Sequence, residues 1–153
     1  MIGVDELLVL IIAGLVVATD QVTKYLVVRS LSLHQSVPVL PGIFHITLVR
    51  NPGAAFGLFP GGTGLFVFVS VVVIGLILFF FRDISREGRT LRVAMGLQMG
   101  GAIGNLLDRV RLGYVVDFFD FRIWPVFNVA DSAIVVGIGL ILLEILRRQS
   151  RAL

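Results

Sequence analysis

The sequence predicts an α-helical membrane protein with four transmembrane helices and a small extracytoplasmic β-sheet, and three observations carry that prediction. Of its 153 residues, 57% are hydrophobic and 15% charged, with a mean hydropathy of +0.99; soluble domains use about 45–50% apolar residues. Several apolar runs are too long for the core of a soluble chain of this size, so the bilayer must act as part of the solvent. The polar residues that are costly in lipid gather toward one end of those runs. The length fits a single domain, residues 1–153.

The first run, residues 7–28, is long enough to cross a hydrocarbon core of about 30 Å at about 1.5 Å per residue. It carries Asp20 and Lys24. Acidic Asp5 and Glu6 precede it and no small-residue cleavage pattern follows, so it reads as a retained helix, not a cleaved signal peptide. Residues 37–50 hold alternating and β-branched residues around Pro38, Pro41 and Gly42, which predicts short strands on the membrane surface. The second run, residues 64–81, has no charge and ends at Arg82. The third, residues 93–107, carries Gly96, Gly100 and Gly104 at four-residue spacing, a small-residue stripe that lets a neighbouring helix approach closely. Residues 114–121 form another candidate extended segment. The fourth run, residues 128–146, has Asp131 near its start and Glu144 placed to pair with Arg148.

Four spans put both termini on one side. Arg82, Arg86, Arg89 and Arg92 between the second and third runs, and Arg147, Arg148 and Arg151 in the tail, assign that side to the cytoplasm. Threaded this way, Asp20, Lys24, Asn51, Asn105, Asp108, Arg109, Asp117, Asn128 and Asp131 all fall in or beside the outer leaflet, and the inner halves are almost purely apolar. A charged residue at a helix centre costs roughly 2.5–3.5 kcal/mol, so such a cluster points to a functional site.

The chain has no cysteine, which excludes disulfide frameworks, thiolate zinc sites, iron–sulfur clusters and cysteine nucleophiles. His34 and His45 are too few for a histidine-rich metal site. The net charge of +3 comes from arginines at helix ends facing anionic headgroups, and a pI of 10.2 does not imply nucleic-acid binding.

Each polar candidate has a structural and a functional reading. Asp20 and Lys24, four residues apart, form an ion pair on one helical face; alternatively Lys24, the sole lysine, serves a serine–lysine hydrolase with Ser132 as nucleophile. Asn51-Pro52-Gly53 is a turn, or a substrate-facing loop. Asn105, Asp108 and Arg109 mark a helix end and an interhelical bond. Asn128 and Asp131 suit a helix N-cap and first turn. Asp117 lies fourteen residues before Asp131 on the same side, so two carboxylates can converge there. Such a pair shares one proton: the ionised member draws a proton from a bound water while the protonated one polarises a scissile carbonyl. The helix N-terminus favours the anion at Asp131, so Asp117 is expected to hold the proton more often.

At these residues the sequence resembles the lipoprotein signal peptidase family, also called signal peptidase II. The resemblance runs through Asp20-Gln21-Val22-Thr23-Lys24, Asn51-Pro52-Gly53-Ala54-Ala55-Phe56-Gly57, Gly101-Ala102-Ile103-Gly104-Asn105-Leu106-Leu107-Asp108-Arg109, Val115-Val116-Asp117-Phe118 and Phe127-Asn128-Val129-Ala130-Asp131-Ser132, in order over nearly the whole chain. It implies a bacterial aspartic endopeptidase of the cytoplasmic membrane, acting at the extracytoplasmic face. The implied substrates are lipid-modified prolipoproteins, whose signal peptide is cut just before the diacylglyceryl-cysteine. By motif position Asp117 and Asp131 would be catalytic, and Asp20, Lys24, Asn51, Gly53, Asn105, Arg109, Asn128 and Ala130 would bind substrate or support the site. No metal or cofactor is implied, and the partners would be the substrate and membrane lipids, not nucleic acid.

Two other classes compete. A small transporter would use the same carboxylates with Lys24 and Arg109 as an ion path, which needs polar residues through both leaflets. A structural assembly subunit rests only on the glycine stripe.

Overall fold

The computed structural model describes residues 4–53, 63–81 and 88–152. Its order is α1 (Val4–Ser30), β1 (Ser36–Leu40), β2 (Phe44–Asn51), α2 (Thr63–Phe79), α3 (Arg89–Leu112), β3 (Val115–Asp120) and α4 (Val129–Ala152). Each apolar run is helical. The third and fourth helices outrun their apolar stretches, since a helix in contact with water or a neighbour tolerates polar ends. Asp108 and Arg109 therefore sit one turn inside α3, not at its terminus. Ala54, Ala55, Phe56, Gly57, Arg82 and Arg86 lie outside the described residues, as does the side chain of Arg151.

The three strands form one antiparallel sheet in the order β1-β2-β3. Between β1 and β2, Pro41 and Gly42 occupy the central positions of a turn closed by Ile43 N–H donating to Leu40 O at 3.0 Å. Gly42 has φ +74°, the left-handed value that a type II turn demands at its third residue. At the end of α3, Gly113 takes φ +79° and donates its N–H to Arg109 O at 3.0 Å, ending the helix so that β3 starts two residues later.

α3 is the central helix: it packs on α1, α2, α4 and β3. The glycine stripe explains how. A Cβ at Gly96 would lie 2.7 Å from Ile12 Cβ, and one at Gly100 would lie 2.6 Å from Val16 Cβ and 2.8 Å from Ala13 O, so both glycines face α1. Gly101 meets α4 instead, with Ala130 O 2.5 Å from its absent Cβ. Away from the sheet, Val9, Ala13, Met95 and Met99 are buried together, with Ile77, Phe81 and Ile103 against them.

Among the described residues two stretches, Glu6–Ser30 and Val129–Ser150, are long and apolar enough to cross a membrane, and only 17% of the most apolar part of each is buried. A core helix of a soluble protein would be mostly covered. Here Leu7, Ile11, Leu15, Val22, Val135, Ile138, Leu142 and Leu146 face outward, as do Phe68, Val72, Leu76 and Phe79 on α2. That belt is stable only against lipid.

Candidate active site

The polar residues collect where the helices meet the sheet. Lys24 is the buried hub. Its Nζ lies 2.8 Å from Asp20 Oδ2, 2.9 Å from Asp108 Oδ2 and 3.1 Å from Asn105 Oδ1. The expected pair with Asp20 is present, but Lys24 is shared with a second carboxylate from α3. Gln21 closes the group, donating to Asp108 Oδ1 at 2.9 Å and to Gly104 O at 3.2 Å. A lysine so occupied has no role as a base for Ser132, whose hydroxyl instead donates to Asn128 O at 2.9 Å.

Each carboxylate of this hub also reaches a different part of the chain. Asp20 Oδ1 accepts the N–H of Ala130 at 3.0 Å, in the first turn of α4 and next to Asp131. Asp108 Oδ2 accepts the N–H of Val116 at 3.0 Å, in β3 and next to Asp117. Asp108 thus positions one of the two candidate aspartates, a function its sequence context did not reveal. The usable signal was Gln21, which follows Asp20 and shares a helical face with Lys24.

Asn128 and Asp131 cap α4 reciprocally: Asp131 N–H donates to Asn128 Oδ1 at 2.9 Å, and Asn128 N–H to Asp131 Oδ2 at 3.2 Å. The fully buried Asn128 side chain does more than cap. Its Nδ2 donates to Asp117 Oδ1 at 2.7 Å and to Asn105 Oδ1 at 3.1 Å, while Asn105 Nδ2 donates to Asp131 Oδ1 at 2.7 Å. Asn128 therefore caps α4 and also bonds Asp117 and Asn105, and Asn105 links α1, α3 and α4. On the other side Asn51 Nδ2 donates to Asp117 Oδ2 at 3.0 Å, and Asn51 Oδ1 is held by Gly53 N–H at 3.0 Å.

Asp117 and Asp131 line one cavity of about 270 Å³, with Asn51, Gly53, Asn105, Arg109 and Trp124–Phe127 also on its wall. The Arg109 guanidinium lies 5.1 Å from the Phe66 ring, and its buried Nε has no hydrogen-bond partner among the described residues. Burial, and after it the nearby Asp131, push the Asp117 carboxyl up to about 7 against the opposing amides of Asn51 and Asn128 and the charge of Lys24. Among the described residues no group of three or more His, Asp or Glu is placed to hold a metal ion.

Fold and site define a helical membrane protein carrying two carboxylates in one cavity beside its sheet. Two solved structures of bacterial membrane enzymes share this fold: one has a TM-score of 0.88 at 36% identity, covering 94% of this chain and 90% of its own, and the other 0.83 at 37%, covering 90% and 92%. The family model for signal peptidase (SPase) II matches residues 12–147. The lipoprotein signal peptidase of Halothermothrix orenii is 44% identical over 93% of this chain and 97% of its own length, and that of Moorella thermoacetica 48% identical over 90% and 91%. The chain belongs to the signal peptidase II family, and is a bacterial membrane peptidase.

Proposed function

We propose that this single domain spans the cytoplasmic membrane four times, with both termini in the cytoplasm, and removes the signal peptide of lipid-modified prolipoproteins just before the diacylglyceryl-cysteine. Asp117 and Asp131 are the catalytic pair. The observation that carries the assignment is their convergence on one cavity, tied together through Asn128 and Asn105 although they arise from a strand and a helix. The names of the relatives support the substrate class, and the arginine-rich segments support the orientation.

A water between the two carboxylates gives up a proton to Asp131 as its oxygen attacks the scissile carbonyl carbon, and Asp117 donates its proton to the carbonyl oxygen. The tetrahedral diol collapses as a proton passes from the dyad to the leaving cysteine nitrogen, releasing the signal peptide's new carboxyl group. Asp117 suits the acid role because it still holds a proton near neutrality. Asp131 sits at the positive end of α4 and accepts from Asn105 and from the Asn128 N–H, which suits the charged role. Arg109, with a donor unspent at the cavity wall, orients the substrate's peptide carbonyls. Substrate arriving sideways from lipid keeps its acyl chains buried throughout.

An ion path is less well supported, because the far end of the bundle is the apolar cluster around Val9, Ala13, Met95 and Met99. The test is incubation of the protein in vesicles with a diacylglyceryl-modified prolipoprotein. Wild type cleaves it, with an alkaline limb near pH 7 as Asp117 loses its proton. Asp117→Asn and Asp131→Asn leave it intact, and full cleavage by either folded variant rejects the dyad.

A further inference from the structure

After β3 the chain turns sharply at Arg122, which has φ +66°, a left-handed conformation unfavourable for a side-chain-bearing residue. The turn is held in place. Asp120 accepts the Arg122 N–H on Oδ1 at 2.9 Å and its guanidinium on Oδ2 at 3.0 Å, and Thr47 fixes Asp120 from β2 at 2.7 Å. Phe121, just before the turn, stacks on Phe127 with centroids 5.9 Å apart and packs on Phe44 at 4.8 Å. This rigid base presents Ile123 and Trp124 outward, 94% and 64% exposed.

A clamped turn that holds two large apolar side chains in water is unfavourable, since apolar surface gains by leaving water. Against lipid the sign reverses, and tryptophan favours the boundary between headgroups and acyl chains. The neighbours identify lipid as the cover. Trp124 and Phe127 line a cavity of about 400 Å³ with Asp131, Ser132, Val135 and Val136, and the two valines belong to the exposed belt of α4. Trp124 and Phe127, with Pro125 and Val126, also wall the cavity of Asp117 and Asp131.

We propose that Ile123 and Trp124 are an interfacial anchor, seated at the headgroup–acyl boundary of the leaflet nearest the sheet, and that the anchor fixes the depth of the carboxylate cavity in the membrane. It rests on the membrane placement of the chain and not on the dyad assignment.

Trp124 is the only tryptophan, so the fluorescence of the full chain reports on this position alone. The protein is reconstituted into phosphatidylcholine vesicles brominated either near the headgroup end or near the methyl end of the acyl chains, with iodide as the aqueous quencher. The expected result is blue-shifted emission, quenched more by shallow than by deep bromine and little by iodide. Dominant quenching by iodide, or by deep bromine, overturns the anchor. Ile123→Asp, at a position outside both cavity linings, shifts the emission to the red and loses the shallow quenching; an unchanged profile likewise overturns it. Shallow quenching in a protein that fails to cleave prolipoprotein upholds the anchor and faults only the peptidase assignment.

Discussion

The two ends of the helical bundle are built by different physics. Near the sheet, Lys24, Asp20, Asp108, Asn105, Asn128, Asp117 and Asp131 are linked by directed bonds of 2.7 to 3.2 Å, and all but Asp131 are buried. Toward the other end, α1 and α3 are held by contact alone, glycine against Ile12, Val16 and Ala13. The polar end depends on every partner being present, because a buried charge left alone costs far more than the pair gains. The apolar end depends on shape, since close-packed helices cannot absorb an added methyl without moving. One end does chemistry and the other sets the distances at which that chemistry is assembled.

Substitutions can break this contrast or sharpen it. The largest effect belongs to the carboxylates: Asp131→Asn should lower kcat/KM by at least about 10²–10⁴-fold, the usual contribution of general acid–base catalysis, in the prolipoprotein assay. Next is Lys24→Met, which strands Asp20 and Asp108 without a counter-charge; a loss of about 3–5 kcal/mol is expected from reversible unfolding in detergent. Stability unchanged by that substitution would contradict the claim that the polar end is held by its hub. Gly100→Ala should cost about 1–3 kcal/mol in the same measurement, because its Cβ meets the backbone of Ala13 as well as Val16. Gly139→Ala, with open space around it, is the control: no loss, or a gain of up to about 1 kcal/mol from helix propensity.

The last test is a slope in pH. The fold raises Asp117 to about 7, so the folded state binds more protons than the unfolded state between the ordinary aspartate value and that figure. Stability should therefore be highest on the acid side and fall as pH rises through this window. Asp117→Asn should remove that part of the slope, read as melting temperature at about pH 5 and about pH 8. The apolar end carries no such dependence, so Gly100→Ala should lower both temperatures alike.

Much of the fold was legible because its signals are local. Apolar runs marked the helices, the β-branched residues around Pro38, Pro41 and Gly42 the short strands, and Asn128 with Asp131 the start of α4, each readable within a few residues. The glycine stripe announced a close helix contact but not its partner, which proved to be α1 at Gly96, Gly100 and Gly104, while Gly101 beside them meets α4. Asp108 was the clearest omission. In sequence it is one more charge at the interface, and its bond to the Val116 N–H exists only because Gly113 turns the chain back beneath α3. Lys24 paired with Asp20 as i,i+4 spacing requires, yet its second carboxylate is 84 residues away.

The amino-acid order by itself determined the solvent this protein needs, the number of apolar runs, and which residues are too polar to lie in lipid without a purpose. Those properties follow from transfer free energies and backbone periodicity, which act over one or two turns. Only the packed structure decided that Asp117 and Asp131 share a cavity, that Asn128 ties them, and that Lys24 serves both through Asp20 and Asp108. Such meetings depend on how closely three helices approach and where a strand is set against them, and a buried polar group takes whichever partner that geometry brings within hydrogen-bonding reach.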